Sequence, residues 1–150
     1  MIFAFRPATE GDFEALLALS VRVMRAHLEW VGRFDPARRR ARMRACFDPA
    51  TFRLIESEGR RAGCVAVVEH PDYREIHSFY LEPWAQGRGL GRAVLDAILA
   101  EQPGRSTHLE VLKESPAARF YERAGFRLVS EAEFDLFYEW SGVGGTAPGA

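Results

Sequence analysis

The segment Gln86-Gly87-Arg88-Gly89-Leu90-Gly91-Arg92 constrains the fold more than any other stretch of the chain. It follows a strand-patterned run, Tyr73 to Leu81, that ends at Glu82-Pro83. From Gly89 the pattern turns helical, with Leu90, Val94, Leu95, Ile98 and Leu99 on one side, until Gln102-Pro103-Gly104 stops it. Thr107 to Leu112 then reads as a strand. A strand, a crossover helix and a strand make neighbouring parallel strands, since such a connection needs about a dozen residues. The glycines therefore sit where a helix begins at the end of a strand. A helix start has backbone N–H groups without partners and a partial positive charge, and glycines leave a phosphate a clear approach. Arg88 and Arg92 add charge within a turn of that point. A glycine-rich connector without a ligand is the plainer reading. The dinucleotide fingerprint fails, because Arg92 stands where its third glycine belongs, and the Gly-Lys-Ser/Thr of a Walker A loop is absent.

Around this centre the order of elements follows from periodicity and turn chemistry. Phe3 to Arg6 is a short strand ended by Pro7. Thr9-Glu10-Gly11-Asp12 can cap a helix whose stripe is Phe13, Leu16, Leu17, Leu19, Val23, Met24 and Leu28. Asp35-Pro36 starts a second helix that runs to about Phe47. Thr51 to Glu56 and Arg61 to Glu69 form a hairpin about a glycine-containing turn, and with the strand from Tyr73 they make a meander. Pro116 to Ala124 is a short helix closed by Gly125 as a left-handed cap. Phe126 to Ser130 and Phe134 to Trp140 complete the sheet. Residues 1–140 are expected to form one domain, and 141–150, rich in Gly, Ala and Pro, a disordered tail.

Composition excludes several classes. A formal net charge of −1 and a pI near 6.4 give no basic field for nucleic acid or anionic lipid. Cys46 and Cys64 lie in unlike contexts and His27, His70, His77 and His108 are scattered, so neither a disulfide framework nor a metal site is expected. No signal-like or membrane-length apolar run is present, and the expected location is cytoplasmic. Arg38, Arg39, Arg40, Arg42 and Arg44 form a dense basic run. It is read first as a solvated helix face, with an acidic acceptor, a phosphate or RNA as the alternatives.

Gln86, Gly89 and Gly91 match a Q/R-x-x-G-x-G/A loop, and Ser115-Pro116-Ala117-Ala118-Arg119-Phe120-Tyr121-Glu122-Arg123-Ala124-Gly125-Phe126 resembles an N-P-A-x-R-F-Y-E-R-x-G-F segment. On these residues, in this order and spacing, the chain resembles the GNAT superfamily of acyl-CoA-dependent N-acetyltransferases over nearly its whole length. The resemblance implies an α/β (α+β mixed) fold, with a mixed, mostly antiparallel sheet of about seven strands flanked by about four helices in the order β-α-α-β-β-β-α-β-α-β-β. It implies that the fourth and fifth strands splay apart to hold the pantetheine arm of acetyl-CoA, with Phe79, Tyr80 and Leu81 pairing with that arm. Gln86, Gly87, Arg88, Gly89, Leu90, Gly91 and Arg92 would cradle the pyrophosphate, and Tyr121 would stand by the sulfur. Ser115 replaces the asparagine of many members, so any cofactor contact there is shorter. The first two helices and their connection, about His27 to Phe47, would line the acceptor pocket, with Trp30, Phe34 and Trp84 as candidate apolar walls.

The implied reaction transfers an acetyl group to a primary amine in a ternary complex, by a monomer or homodimer. An amine with pKa near ~10.4 is protonated at neutral pH and must lose a proton before it attacks. A phenol near ~10 can supply one to a thiolate whose parent thiol titrates near ~8.5. Tyr121 is the candidate acid, with core packing beside Phe120 and Phe126 as the alternative. Glu110, mid-strand in His108-Leu109-Glu110-Val111-Leu112, is the first candidate base, because a carboxylate in an otherwise apolar strand suggests a face open to a cleft. A solvated or arginine-paired carboxylate is its other reading. Glu75 and His77 share a strand face with Phe79 and compete for the role, directly or through water. A module that binds CoA without turnover is the alternative function.

Overall fold

The computed structural model describes residues 2–142, so all but the first two residues of the expected tail at 141–150 lie outside the described residues. Four α-helices and seven strands occur among them: β1 (Ala4–Pro7), α1 (Phe13–Trp30), α2 (Pro36–Cys46), β2 (Phe52–Ser57), β3 (Arg60–Glu69), β4 (Arg74–Leu81), α3 (Leu90–Glu101), β5 (Thr107–Leu112), α4 (Ala117–Arg123), β6 (Arg127–Glu131) and β7 (Asp135–Trp140). The strand order β1-β2-β3-β4-β5-β7-β6 is the expected mixed sheet, with β4 and β5 parallel where Arg74 faces Thr107 and Glu75 faces His108. Element boundaries differ from the periodicity by a residue or two. Pro7, expected to end β1, is its last residue, opposite Arg53. Two compact units can be distinguished, residues 2–67 with 78–90, and residues 68–77 with 91–142.

In the first unit the helix stripe meets the hairpin. Phe13, Leu16, Leu17 and Leu19 of α1 pack in one cluster with Met43, Phe47, Phe52, Leu54, Cys64 and Ala66. Phe13 and Phe52 set their rings against Phe47 at 5.5 and 4.9 Å. Burying each such side chain is worth about 1.5–3 kcal/mol, so this cluster outweighs the weak helical propensity of either end. Asp35 caps α2 as expected, its Oδ1 accepting from the N–H groups of Ala37 at 3.0 Å and Arg38 at 3.3 Å. The β2–β3 turn places Glu58 and Gly59 at φ of 57° and 72°, the two left-handed positions of a two-residue hairpin turn. Gly63 is required for a different reason. A Cβ there would stand 2.1 Å from the Tyr80 carbonyl oxygen, so β3 and β4 touch backbone to backbone.

The arginine run of α2 divides by helical spacing. Arg40 forks both oxygens of Glu14 at 2.9 and 2.7 Å, and Arg44, one turn on, pairs with Glu10 while its guanidinium lies 3.7 Å from the centre of the Phe13 ring. Arg39 points elsewhere, its NH1 on the sulfur of Met24 at 3.6 Å. Arg38, Arg40, Arg42 and Arg44 are exposed, as the solvated face that charge patterning suggested, and Arg39 departs from it as half-buried.

In the second unit a charged residue forms a hub. Arg74 opens β4 with 1% of its surface exposed. Its Nε donates to Glu69 at 2.9 Å, NH1 to the Ile98 carbonyl at 2.8 Å, and NH2 to Glu101 at 2.8 Å. β7 lies between β5 and β6, with Tyr138 opposite Leu109 on one side and Leu128 on the other.

Candidate active site

The glycine-rich segment leaves β4 through a short 3-10 turn, Pro83–Ala85, and reaches α3 over two left-handed glycines, Gly87 at φ 72° and Gly89 at φ 83°. A Cβ built on either meets nothing within 4 Å, so the backbone before α3 is open, as a phosphate cradle must be. Gln86 faces back, its Nε2 donating to the Leu81 carbonyl at 2.9 Å, which holds the turn against the end of β4. Arg88 is exposed and 3.6 Å from Glu58. Leu90 is buried and anchors the helix start. Gly91 and Arg92 follow within α3; Arg92 pairs with Asp96 at 2.9 Å and reaches the Arg123 carbonyl at 3.3 Å. Both arginines stand near the helix start as expected, held by partners that an anion would compete with.

β4 loses its alternation on the way to this turn. Arg74 and Ile76 are buried, but from His77 to Leu81 every residue is half-buried. Ser78 has φ of 50°, a left-handed value that reorients the strand as a bulge does. Ser78 also receives Cys64, whose Sγ donates to its carbonyl at 3.4 Å, and lies 4.0 Å, Oγ to Sγ, from Cys46. Both cysteines are free, and burial pushes the Cys64 thiol up to about 12, which leaves it inert. Phe79, Tyr80 and Leu81 follow the irregularity. Burial raises the Tyr80 phenol, against the lowering influence of the Arg39 charge and a hydrogen bond with Ser78.

Tyr121 is on α4 with 7% of its surface exposed, edge-on to Phe120 at 5.1 Å and to Phe126 at 5.5 Å. The helix end fixes it. Phe126 N–H returns to the Tyr121 carbonyl and Gly125 N–H to that of Glu122, the paired bonds of a left-handed glycine cap at φ 98°. Glu122 in turn accepts from the Tyr138 hydroxyl at 2.8 Å, which ties α4 to β7. Ser115 uses its Oγ to accept from Ala117 N–H at 3.2 Å, so the short side chain that departs from asparagine braces the turn before α4. Packing and a chemical role for Tyr121 are thus compatible, because the same contacts that bury the ring set its direction.

The base candidates separate by partner. Glu110 is exposed on β5, opposite Phe137 of β7. Glu75 is engaged by His70 at 2.8 Å, and its neighbour across the parallel pair, His108, by Glu139 at 2.8 Å; Tyr73 stacks on both histidines at 4.5 and 4.1 Å. Burial lowers the His77 imidazole below its ordinary 6.5, against the raising influence of Glu75. Stability linked to neutral His77 is therefore fully present above the unfolded value and lost as pH falls through the lower folded one. In thermal melts the wild type should lose more Tm between about pH 7.5 and 5 than His77→Gln does. Equal losses would show that the imidazole is no more costly to charge here than in water. Trp30, by contrast, is 69% exposed at the end of α1, its ring 5.8 Å from that of His27.

Residues 48–128 match the family described as "Acetyltransferase (GNAT) domain". The chain belongs to the GNAT acetyltransferase family. Curated relatives include the mycothiol acetyltransferases of Cellulomonas flavigena, 32% identical over 97% of this chain and 45% of that protein, and of Beutenbergia cavernae, 33% identical over 81% and 43%. The chain spans less than half the length of these relatives. Among solved structures, the PaiA N-acetyltransferase of Thermoplasma acidophilum in complex with coenzyme A superposes with a TM-score of 0.73 at 15% identity, over 94% of this chain and 99% of that one. Apo YjaB of Escherichia coli gives 0.74 at 19%, over 95% and 100%. At these identities the likeness establishes the GNAT fold.

Two residues of this region had no sequence reading of their own. Ser78 lies in a run that reads as an ordinary strand, and nothing in its type signals a left-handed φ. Arg39 was submerged in its basic run, where five like residues look equivalent until the helix assigns them different neighbours.

Proposed function

We propose that this chain binds acetyl-CoA and transfers its acetyl group to a primary amine. The observation that carries the reading is the open backbone at Gly87 and Gly89 before α3, inside the segment matched to the family. This arrangement fits a diphosphate, and Gln86 to Arg92 would hold it through backbone N–H groups, with Arg88 and Arg92 exchanging Glu58 and Asp96 for phosphate oxygens. Phe79, Tyr80 and Leu81 would offer β4 backbone to the pantetheine amides. Bound acetyl-CoA supplies an acetyl thioester and, on transfer, a thiolate as leaving group.

The protein's own groups manage protons. Glu110, with water access on β5, would take a proton from the incoming ammonium, with Glu75 or His77 through water as the other routes. Tyr121 would hold a proton on Oη for delivery to the departing sulfur, its direction fixed by the α4 cap and the Phe120 and Phe126 rings.

The test is linkage followed by turnover. At acetyl-CoA near 100 times its Kd the fold should gain about 2.7 kcal/mol, read as a rise in Tm of about 5–10 °C. Thiol release should then depend on an added amine. Unchanged melting in about millimolar acetyl-CoA would overturn the cofactor assignment. A rise in Tm without thiol release on any amine would instead make the chain a binding module.

A further inference from the structure

Arg39 is half-buried, and its Nε is shielded from solvent without a hydrogen-bond partner among the described residues. NH1 rests on the Met24 sulfur, a weak acceptor. An arginine uses its Nε edge to grip a carboxylate, as Arg22 does here with both oxygens of Glu82, at 3.1 and 2.8 Å. No carboxylate of its own unit takes that place at Arg39. Glu14 belongs to Arg40, Glu10 to Arg44, and Asp35 to the start of α2. The other acids of that unit are likewise engaged, by other arginines or by backbone N–H. A half-buried cation without an anion is costly, so its retention calls for an external partner.

The surroundings say where that partner would sit. Met24 is on α1, Arg39 on α2, and the charge of Arg39 is felt by the Tyr80 phenol of β4, which hydrogen-bonds Ser78 beside Cys46. Arg39 and Cys46 stand two turns apart on one face of α2, and Cys46 lies 4.0 Å from Ser78, so that face runs beside the irregular part of β4, the strand assigned above to the cofactor.

We propose that Arg39 docks a carboxylate of the acceptor, so that the acceptors of this chain are amines that also carry an acid, amino acids or acidic peptides rather than plain amines or polyamines. This rests on the acetyl-transfer reading. The carboxylate would pair with the Arg39 guanidinium and hold the molecule while its amine faces the acetyl group. Arg39 positions the acceptor and takes no part in proton movement.

The experiment measures thiol release with the twenty amino acids, Asp- and Glu-containing dipeptides, and the amide and decarboxylated amine matching each substrate found, beside polyamines. Melting with acetyl-CoA alone is recorded in parallel, and melting with coenzyme A plus each acid or amide reads acceptor binding without turnover. The expected kcat/KM preference for an acid over its amide is about tenfold to a hundredfold, the range of a charge-assisted pair. That preference should fall close to one in Arg39→Met and recover only partly in Arg39→Lys, which keeps the charge and lacks the fork. A loss of packing alone would depress acid and amide together. Amides or polyamines used as well as acids, or a preference that survives Arg39→Met, would overturn the inference and leave the acetyl-transfer reading intact. Binding of acids no tighter than of amides, with no turnover of any acceptor, would overturn it too. Absence of any acetyl-CoA effect on melting would remove the reading beneath it.

Discussion

Tyr121→Phe should lower kcat by about 10²- to 10⁴-fold while the rise in Tm produced by acetyl-CoA stays within about a degree of wild type. The substitution removes one oxygen and keeps the ring. Because the ring is 7% exposed and set edge-on between Phe120 and Phe126, phenylalanine fills the same space and the apolar contacts survive. The cap that aims α4 is also untouched, since it uses the Tyr121 carbonyl and the separate Tyr138–Glu122 hydrogen bond. A purely structural tyrosine would therefore lose little rate. A proton donor would lose rate in kcat and kcat/KM alike, since the interaction removed acts only as the bond to sulfur breaks. Thiol release under saturating acetyl-CoA, with melting as the control for folding and binding, separates the two. A kcat within about threefold of wild type would return Tyr121 to the core and leave water as the proton source.

How far the sequence could be read depended on the range of the interactions involved. α1, α2 and the strand, turn and helix around Gly87 are set by near neighbours: an apolar stripe, an Asp-Pro start, glycines at positions with positive φ. Those signals act within a turn or two and are visible without a partner. The same holds for Gly125, whose cap closes α4 locally. Arg74 is the opposite case. Nothing in its type signals burial, because arginine is seldom buried, and it is buried because Glu101, 27 positions away, and the Ile98 carbonyl come to it. Gly63 lies between: a lone glycine in an apolar strand hints at close backbone approach, but Tyr80 as the neighbour emerges only once β4 is paired. Among the proposed site residues, the glycine-rich loop was legible as an open helix start because its geometry is local backbone. The docking role proposed for Arg39 was obscure because that residue is defined by what its neighbours lack.

The other large effect should come from that buried arginine. Arg74→Met is expected to destabilise the fold by about 3 kcal/mol, seen as a Tm lower by roughly 10 °C. Methionine nearly replaces the length and the apolar contacts, so the loss is electrostatic rather than a cavity. It falls unevenly on the three partners. Glu69 keeps Arg105 at 3.3 Å and Gln102 at 3.2 Å, and its half-exposed carboxylate can take up water, so little of the cost arises there. The Ile98 carbonyl, beside a side chain with no exposed surface near the end of α3, loses a donor supplied from inside the protein, whereas the Glu101 carboxylate, 35% exposed, takes up water in part. Arg74→Lys divides the terms: it restores a positive charge but cannot reach three acceptors from one planar group, so it should recover less than half of the lost stability. If Arg74→Met instead melts with wild type, the hub is no more than balanced by its own desolvation, as buried ion pairs sometimes are. The start of β4 would then owe its place to its apolar neighbours, Ile76 first among them, and to its parallel pairing with β5.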